Sequence, residues 1–237
     1  MLEQDILNLM HIPSEQLTDL VGYPVQYASN YFVVNDNDAT IRFVSKSESG
    51  YIVLHSLELG KRPKGAIFYI NKNDYKDIKN QKESIDKKKN RLSLGKPAGW
   101  DKINKNKDYE VYFHRGHIIA CSLGGDKEIK GHDYKALKSL FIQTACSNMG
   151  KDVKEEEEEK INKFSQWHFE KIIKDTVVTE SVCMASRPVY RNKADVIPIG
   201  VHLQAVTKER SLFNVFLPNI DPNIVIDYKK CTFKLKK

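Results

Sequence analysis

Apolar and polar positions alternate along this chain in short runs separated by turn-forming residues. Such runs predict many brief strands rather than a few long helices. YFVV (31–34) and ATIRFV (39–44) flank the turn-rich NDND and predict a hairpin. YIVLH (51–55) and AIFYI (66–70) read as strands with Gly60 and Pro63 between them, and YEVYF (109–113) reads as a further strand. VIPIGVHLQAVT (196–207), LFNVFLP (212–218) and NIVIDY (223–228) make the last third rich in β-structure. Helical spacing is confined to three places. Residues 2–10 and 14–20 predict short helices, and 151–177 predicts a longer one carrying Ile161, Phe164, Trp167, Ile172 and Ile173. The run Glu155–Glu159 inside it reads as a solvated face. The sum is an α+β chain. No repeat or Gly/Ser linker divides it, so 29–237 is expected to form one domain, with 1–28 as an N-terminal appendage of unknown role.

Composition narrows the functional classes. The chain has 237 residues, enough for a substantial core, and its 41% hydrophobic content excludes wholesale disorder. No apolar run approaches the roughly 18 residues of a membrane-spanning helix. MLEQDILNLMHIP lacks a basic start and a long apolar stretch, so no secretory leader is expected. The 4 cysteines form no CxxC pair, which argues against a disulfide scaffold and a zinc ribbon. The formal net charge of +7 favours an anionic partner, nucleic acid first. That excess is local. Between Lys79 and Lys107 there are 10 Lys and Arg against Glu83, Asp86 and Asp101, in a stretch poor in apolar residues that reads as a solvated loop or frayed helix.

The chemistry-bearing segment is YEVYFHRGHIIACSLGG (109–125). A strand runs into His114-Arg115-Gly116-His117. Gly116 gives the backbone a close turn between two large side chains, Arg115 offers a planar fork for phosphate or carboxylate, and His117 exchanges protons near neutral pH. SLFIQTACSNMG (139–150) follows, ending in Ser147-Asn148.

Together these segments resemble the DNA/RNA non-specific endonucleases of the ββα-metal superfamily, with a look closest to the streptococcal DNA-entry nucleases. That family's D-R-G-H and Q-T-x-x-x-N signatures are matched by residues 114–117 and by Gln143-Thr144-Ala145-Cys146-Ser147-Asn148. Asn90-Arg91 before Pro97-Ala98-Gly99-Trp100 is similar to its N-R…P-x-G-W, and WHFEKIIKD (167–175) resembles the helix with its catalytic glutamate. The opening YFVVNDNDATIRF and the closing LFNVFLPN…IVIDY also fall in the family's order, so the resemblance spans 29–237. It implies a mixed or antiparallel sheet flanked by helices around a ββα core. It implies metal-dependent phosphodiester hydrolysis in DNA and possibly RNA. His117 would be general base, Asn148 the direct ligand of a hydrated Mg²⁺ (Mn²⁺ substituting), and Glu170 would orient the waters on that ion. Arg115 would brace the site, while Arg91 and Lys96 would contact phosphate within the basic stretch. Relatives generally act outside the cell, and a further reading is a secreted toxin or virulence nuclease held in check by an immunity partner.

Two positions depart from or strain the pattern. His114 stands where the family carries Asp. Asn148 and Glu170 are 22 residues apart, about 33 Å on one straight helix, so either the chain breaks near 149–163 or Glu155 or Glu156 takes the glutamate's role. Other readings are a catalytically silent nucleic-acid-binding module of the same fold, and a zinc site drawn from His114, His117, Cys121, His132 and Cys146. The strand sets 114 and 117 on opposite faces, which counts against zinc. His55, His168 and His202 read as ordinary structural histidines, and Gln143 and Thr144 as residues that hold backbone geometry.

Overall fold

Alternation in the apolar runs is converted into a sheet with two covered faces. A computed structural model describes residues 1–44, 49–86, 95–125, 133–150 and 165–236. Two short helices, α1 (Glu3–Met10) and α2 (Ser14–Val21), come first. Strands β1 (Val25–Ala28), β2 (Tyr31–Val34), β3 (Tyr51–Leu54) and β4 (Ala66–Ile70) precede α3 (Lys72–Asp86). Next come α4 (Trp100–Ile103), α5 (Tyr109–Tyr112), β5 (Phe113–His117), α6 (Asp133–Ser139), β6 (Leu140–Thr144), α7 (Ala145–Met149) and α8 (Gln166–Thr176). The chain closes with β7 (Val182–Val189), β8 (Gly200–Val206), β9 (Ser211–Pro218), β10 (Ile224–Asp227) and β11 (Thr232–Leu235).

Among the described residues, seven strands form one antiparallel sheet in the order β1-β2-β9-β8-β7-β4-β3, and β5-β6 and β10-β11 form separate ribbons. The α+β class stands, with antiparallel pairing throughout. Side-chain alternation divides the sheet. Val201, Leu203 and Ala205 of β8, with Phe213, Val215 and Leu217 of β9, pack against Phe169 and Ile173 of α8. On the other face Phe32 and Phe216 join Ile6, Leu7, Met10 and Leu17 of the first two helices. Residues 1–28 therefore feed the main core. The Tyr228 hydroxyl donates to the Leu9 carbonyl, and Arg187 donates to the carbonyls of Leu20 and Val21 at the end of α2. The β5–β6 ribbon bridges both cores, since Phe113 and Ile142 lie in one and Phe141 in the other.

Two expected elements differ. The hairpin between 31–34 and 39–44 does not form: β2 pairs with β1 and β9, and 39–44 is not a strand. Asn35, Asp36 and Asn37 all have positive φ (48°, 50° and 67°), which bends NDND across the sheet edge. Side chains then hold it, with Asn214 donating to the Asp38 carbonyl and Thr40 donating to Gln204. YEVYF is also no single strand. A left-handed Asp108 (φ 64°) starts a helical turn over Tyr109–Tyr112, and only Phe113 enters β5. Tyr109 sets its ring against Trp100 and Tyr112 against Phe233, contacts that favour the turn over extension. Of the long helix expected over 151–177, the described part is α8; 151–164 lie outside the described residues.

Candidate active site

The two signature segments are the two strands of one ribbon. Antiparallel pairing sets His114 opposite Gln143, Gly116 opposite Phe141 and His117 opposite Leu140. Gly116 is needed for space rather than for a turn. A β-carbon there would stand 2.3 Å from Gln143 Oε1 and 2.7 Å from its Cβ, so the glutamine lies directly over the glycine backbone. The H-R-G-H and Q-T motifs are thus one packed unit.

Gln143 starts a polar relay through the interior. Its Nε2 donates to Gln166 Oε1 at 3.0 Å, and both residues are buried. Gln166 Nε2 donates in turn to Glu170 Oε1 and to the His117 carbonyl, each at 2.8 Å. One carboxamide therefore gathers the end of β5, the β6 glutamine and the α8 glutamate. Glu170 is only 7% exposed, and one turn of helix sets it above Gln166. Gln166 belongs to none of the sequence motifs. Its signal is its place four residues before the glutamate on one helical face.

Asn148 sits on α7, and sequence explains why that helix starts and stops where it does. Thr144 Oγ1 caps its first turn by accepting from Ser147 N at 3.1 Å, and the same hydroxyl donates to the Ile220 carbonyl. Asn219 fastens the preceding strand, accepting from Thr144 N and donating to the carbonyls of Ile142 and Pro198. Gly150, left-handed at φ 77°, ends the helix. Asn148 and Glu170 therefore stand on two different helices, α7 and α8, which pack on each other, and the 22-residue separation is no obstacle. Glu155 and Glu156 lie outside the described residues. Asn148 Nδ2 contacts His114 Nδ1 at 3.0 Å, so the residue that departs from the resembled pattern touches the expected metal ligand.

His117 and Arg115 share strand parity, opposite to that of His114 and Gly116. His117 Nε2 lies 3.0 Å from Cys121 Sγ. Arg115 reaches toward the Gly95 carbonyl at 3.4 Å, with its guanidinium 5.7 Å from the Trp100 ring. It thereby ties the ribbon to the segment carrying Lys96, whose ammonium pairs with Asp101 at 2.7 Å on the exposed surface. Arg91, the neighbouring Lys87, Lys88 and Lys89, and His132 lie outside the described residues. His202 and His55 lie elsewhere: burial holds His202, in the sheet, down at about 4, and burial also lowers His55.

The donor chemistry suits a hard cation that keeps its own waters. Asn148 contributes a carboxamide and Glu170 a carboxylate, both oxygen donors on adjacent helices. Among the described residues no three His, Cys, Asp or Glu side chains cluster as a metal cage, so the zinc alternative finds no such cluster there. Cys121 and Cys146 are not joined in a disulfide. No helix among the described residues is long and apolar enough to cross a membrane.

No family model and no curated protein matches the chain. Solved structures do. NucA from Streptococcus agalactiae with magnesium bound superposes at a TM-score of 0.70 with 25% identity, covering 94% of each chain. Its metal-free form gives 0.69 with 24% identity, over 94% of this chain and 95% of that one. The Sda1 nuclease with bound zinc gives 0.56 with 18% identity, over 78% and 82%. The backbone and the motif order thus lead to one place: over nearly its whole length this chain is a structural relative of the streptococcal nuclease NucA.

Proposed function

We propose that the chain is a metal-dependent endonuclease that hydrolyses phosphodiester bonds in DNA, and in RNA, with little regard to base sequence. The nuclease assignment is supported by the nuclease neighbours. The observation that carries the finer reading is the Gln166 junction, which binds the His117 backbone and the Glu170 carboxylate to one side chain.

In this reading His117 is the general base. Its imidazole takes the proton of the attacking water, a role suited to the side chain type whose ordinary pKa lies nearest neutrality. Cys121, at its Nε2, steadies the ring. Asn148 would hold Mg²⁺ through its carboxamide oxygen, and Glu170 would accept hydrogen bonds from the waters on that ion. When bound, the metal neutralises charge building on the phosphate and on the leaving oxygen. Mn²⁺ meets the same donors and would substitute. Gln166 keeps Glu170 and the end of β5 in register, so the base and the carboxylate move as one body. Arg115 braces the 95–100 segment, which carries Lys96, and Lys96 and Arg91 would contact the substrate backbone. Contacts of that kind read phosphate and carry no base information. Relatives described as extracellular nucleases share the fold, and we extend an extracellular setting to this chain.

The test is relaxation of supercoiled plasmid, with RNA run in parallel. Cutting that needs Mg²⁺, stops with EDTA and disappears in His117→Ala supports the enzyme. Salt-sensitive retardation without cutting at any divalent concentration overturns it and leaves a binding module.

A further inference from the structure

We infer that His114 is a positioning residue that aims the Asn148 carboxamide through the acceptor nitrogen of its ring. The inference rests on the proposed role of Asn148 and goes one residue beyond it.

The argument begins with what each atom can do. An amide nitrogen donates and never accepts, so the 3.0 Å contact between Asn148 Nδ2 and His114 Nδ1 requires Nδ1 to be the acceptor. The ring proton is then on Nε2. The carboxamide is the side chain whose orientation is hardest to fix otherwise. Its terminal torsion is broad and nearly two-fold, and exchanging oxygen for nitrogen costs little in shape. An acceptor held against one end removes that ambiguity and turns the oxygen the other way. Aspartate and a neutral imidazole share this one property, and a donor at 114 would reverse it.

The ring is well placed to enforce the choice. His114 is fixed in β5 opposite Gln143, and α7 packs against β5. The amide it holds belongs to a helix whose start is capped by Thr144 and whose end is cut by Gly150. Little freedom remains to Asn148 except rotation of its own amide, and His114 contacts that amide. Partners that orient a metal ligand typically change affinity by about 10- to 100-fold when removed.

The experiment measures binding of Mn²⁺ to the free protein, without nucleic acid, by loss of the free-ion paramagnetic resonance signal. Asn148→Ala is the reference and is expected to weaken binding by more than about tenfold. His114→Phe keeps ring bulk but removes the acceptor, and is expected to weaken it by about 10- to 100-fold. His114→Asp and His114→Asn restore an acceptor and should return most of the affinity, the neutral Asn separating geometry from added charge. In cleavage, His114→Phe should lower kcat with KM nearly unchanged. If His114→Phe is folded and binds Mn²⁺ like the parent while Asn148→Ala does not, the positioning role is overturned and the metal ligand stands. If Asn148→Ala itself binds like the parent, the proposed function fails at its ligand. Should His114→Phe not fold, nitrogen NMR of the parent decides: a protonated Nε2 and bare Nδ1 on His114 support the inference, and a proton on Nδ1 overturns it.

Discussion

The central sheet and the β5–β6 ribbon are both antiparallel, yet they are held by different forces. Strands β8 and β9 face α8 with Val201, Leu203, Ala205, Phe213, Val215 and Leu217, a surface whose contribution scales with area and lacks direction. The ribbon and its helices are joined by Gln143, Thr144, Ser147, Gln166, Glu170 and Asn219, each bond needing a particular donor and acceptor. Apolar packing tolerates exchange of similar shapes, at a graded cost. A buried polar relay fails by whole bonds, because a deleted partner strands another group. Position in such a relay fixes atoms, as catalysis requires, and the sheet supplies the rigid floor for it.

That contrast can be broken by separating stability from activity. The largest effect is expected for His117→Ala, which should lower plasmid cleavage by about 10²- to 10⁴-fold while its thermal midpoint stays within a few degrees. An equal loss of both would mean that the imidazole is a packing residue. Leu203→Ala should do the reverse. It is expected to cost about 2–5 kcal/mol in denaturant unfolding, with cleavage below the transition nearly unchanged. A variant that remains folded yet loses cleavage would show that the sheet is no passive floor.

The third test uses pH. His202 is buried between Asn214 and Arg187, and its Nε2–H donates to Asn214 Oδ1 at 2.7 Å. Burial holds its folded value at about 4, against 6.5 for the free side chain. Above 6.5 neither state is charged there, so stability is full. As pH falls from 6.5 toward 4 only the unfolded chain takes the proton, and about 3 kcal/mol should be lost. His202→Gln should flatten unfolding midpoints over that window, and an unaltered slope would remove His202 as the cause. The smallest effect is expected for Gly116→Ala. Its new methyl must displace Gln143, which should cost about 1–3 kcal/mol and lower cleavage, with Mn²⁺ binding at Asn148 less affected. Parent-like stability and cleavage would deny that the glycine makes room for the glutamine.

Much of this was legible in sequence because it is local. The α+β class, the first two helices, β3, β4, β8 and β9 follow from apolar spacing, and the two signature segments from short-range pattern. What escaped depends on contacts made across the chain. Alternation in YEVYF fits a strand as well as a turn, and aromatic partners at Trp100 and Phe233 decide for the turn. NDND invites a local hairpin, but β2 pairs instead with β9, just over 180 residues later. Gln166 stands just outside the matched segments and Asn219 at the end of one, and their importance lies in which buried groups they satisfy. The reason for Gly116 was misread for the same cause, since its neighbour in space, Gln143, is 27 residues away.

One anchor described above bears on synthesis. Thr144 rests on Asn219 and Ile220, and Leu9 is tied to Tyr228. Those ties cannot close until residues 219–228 have left the ribosome. The segment bearing Asn148 therefore gains its footing long after its own strand and helix have been made.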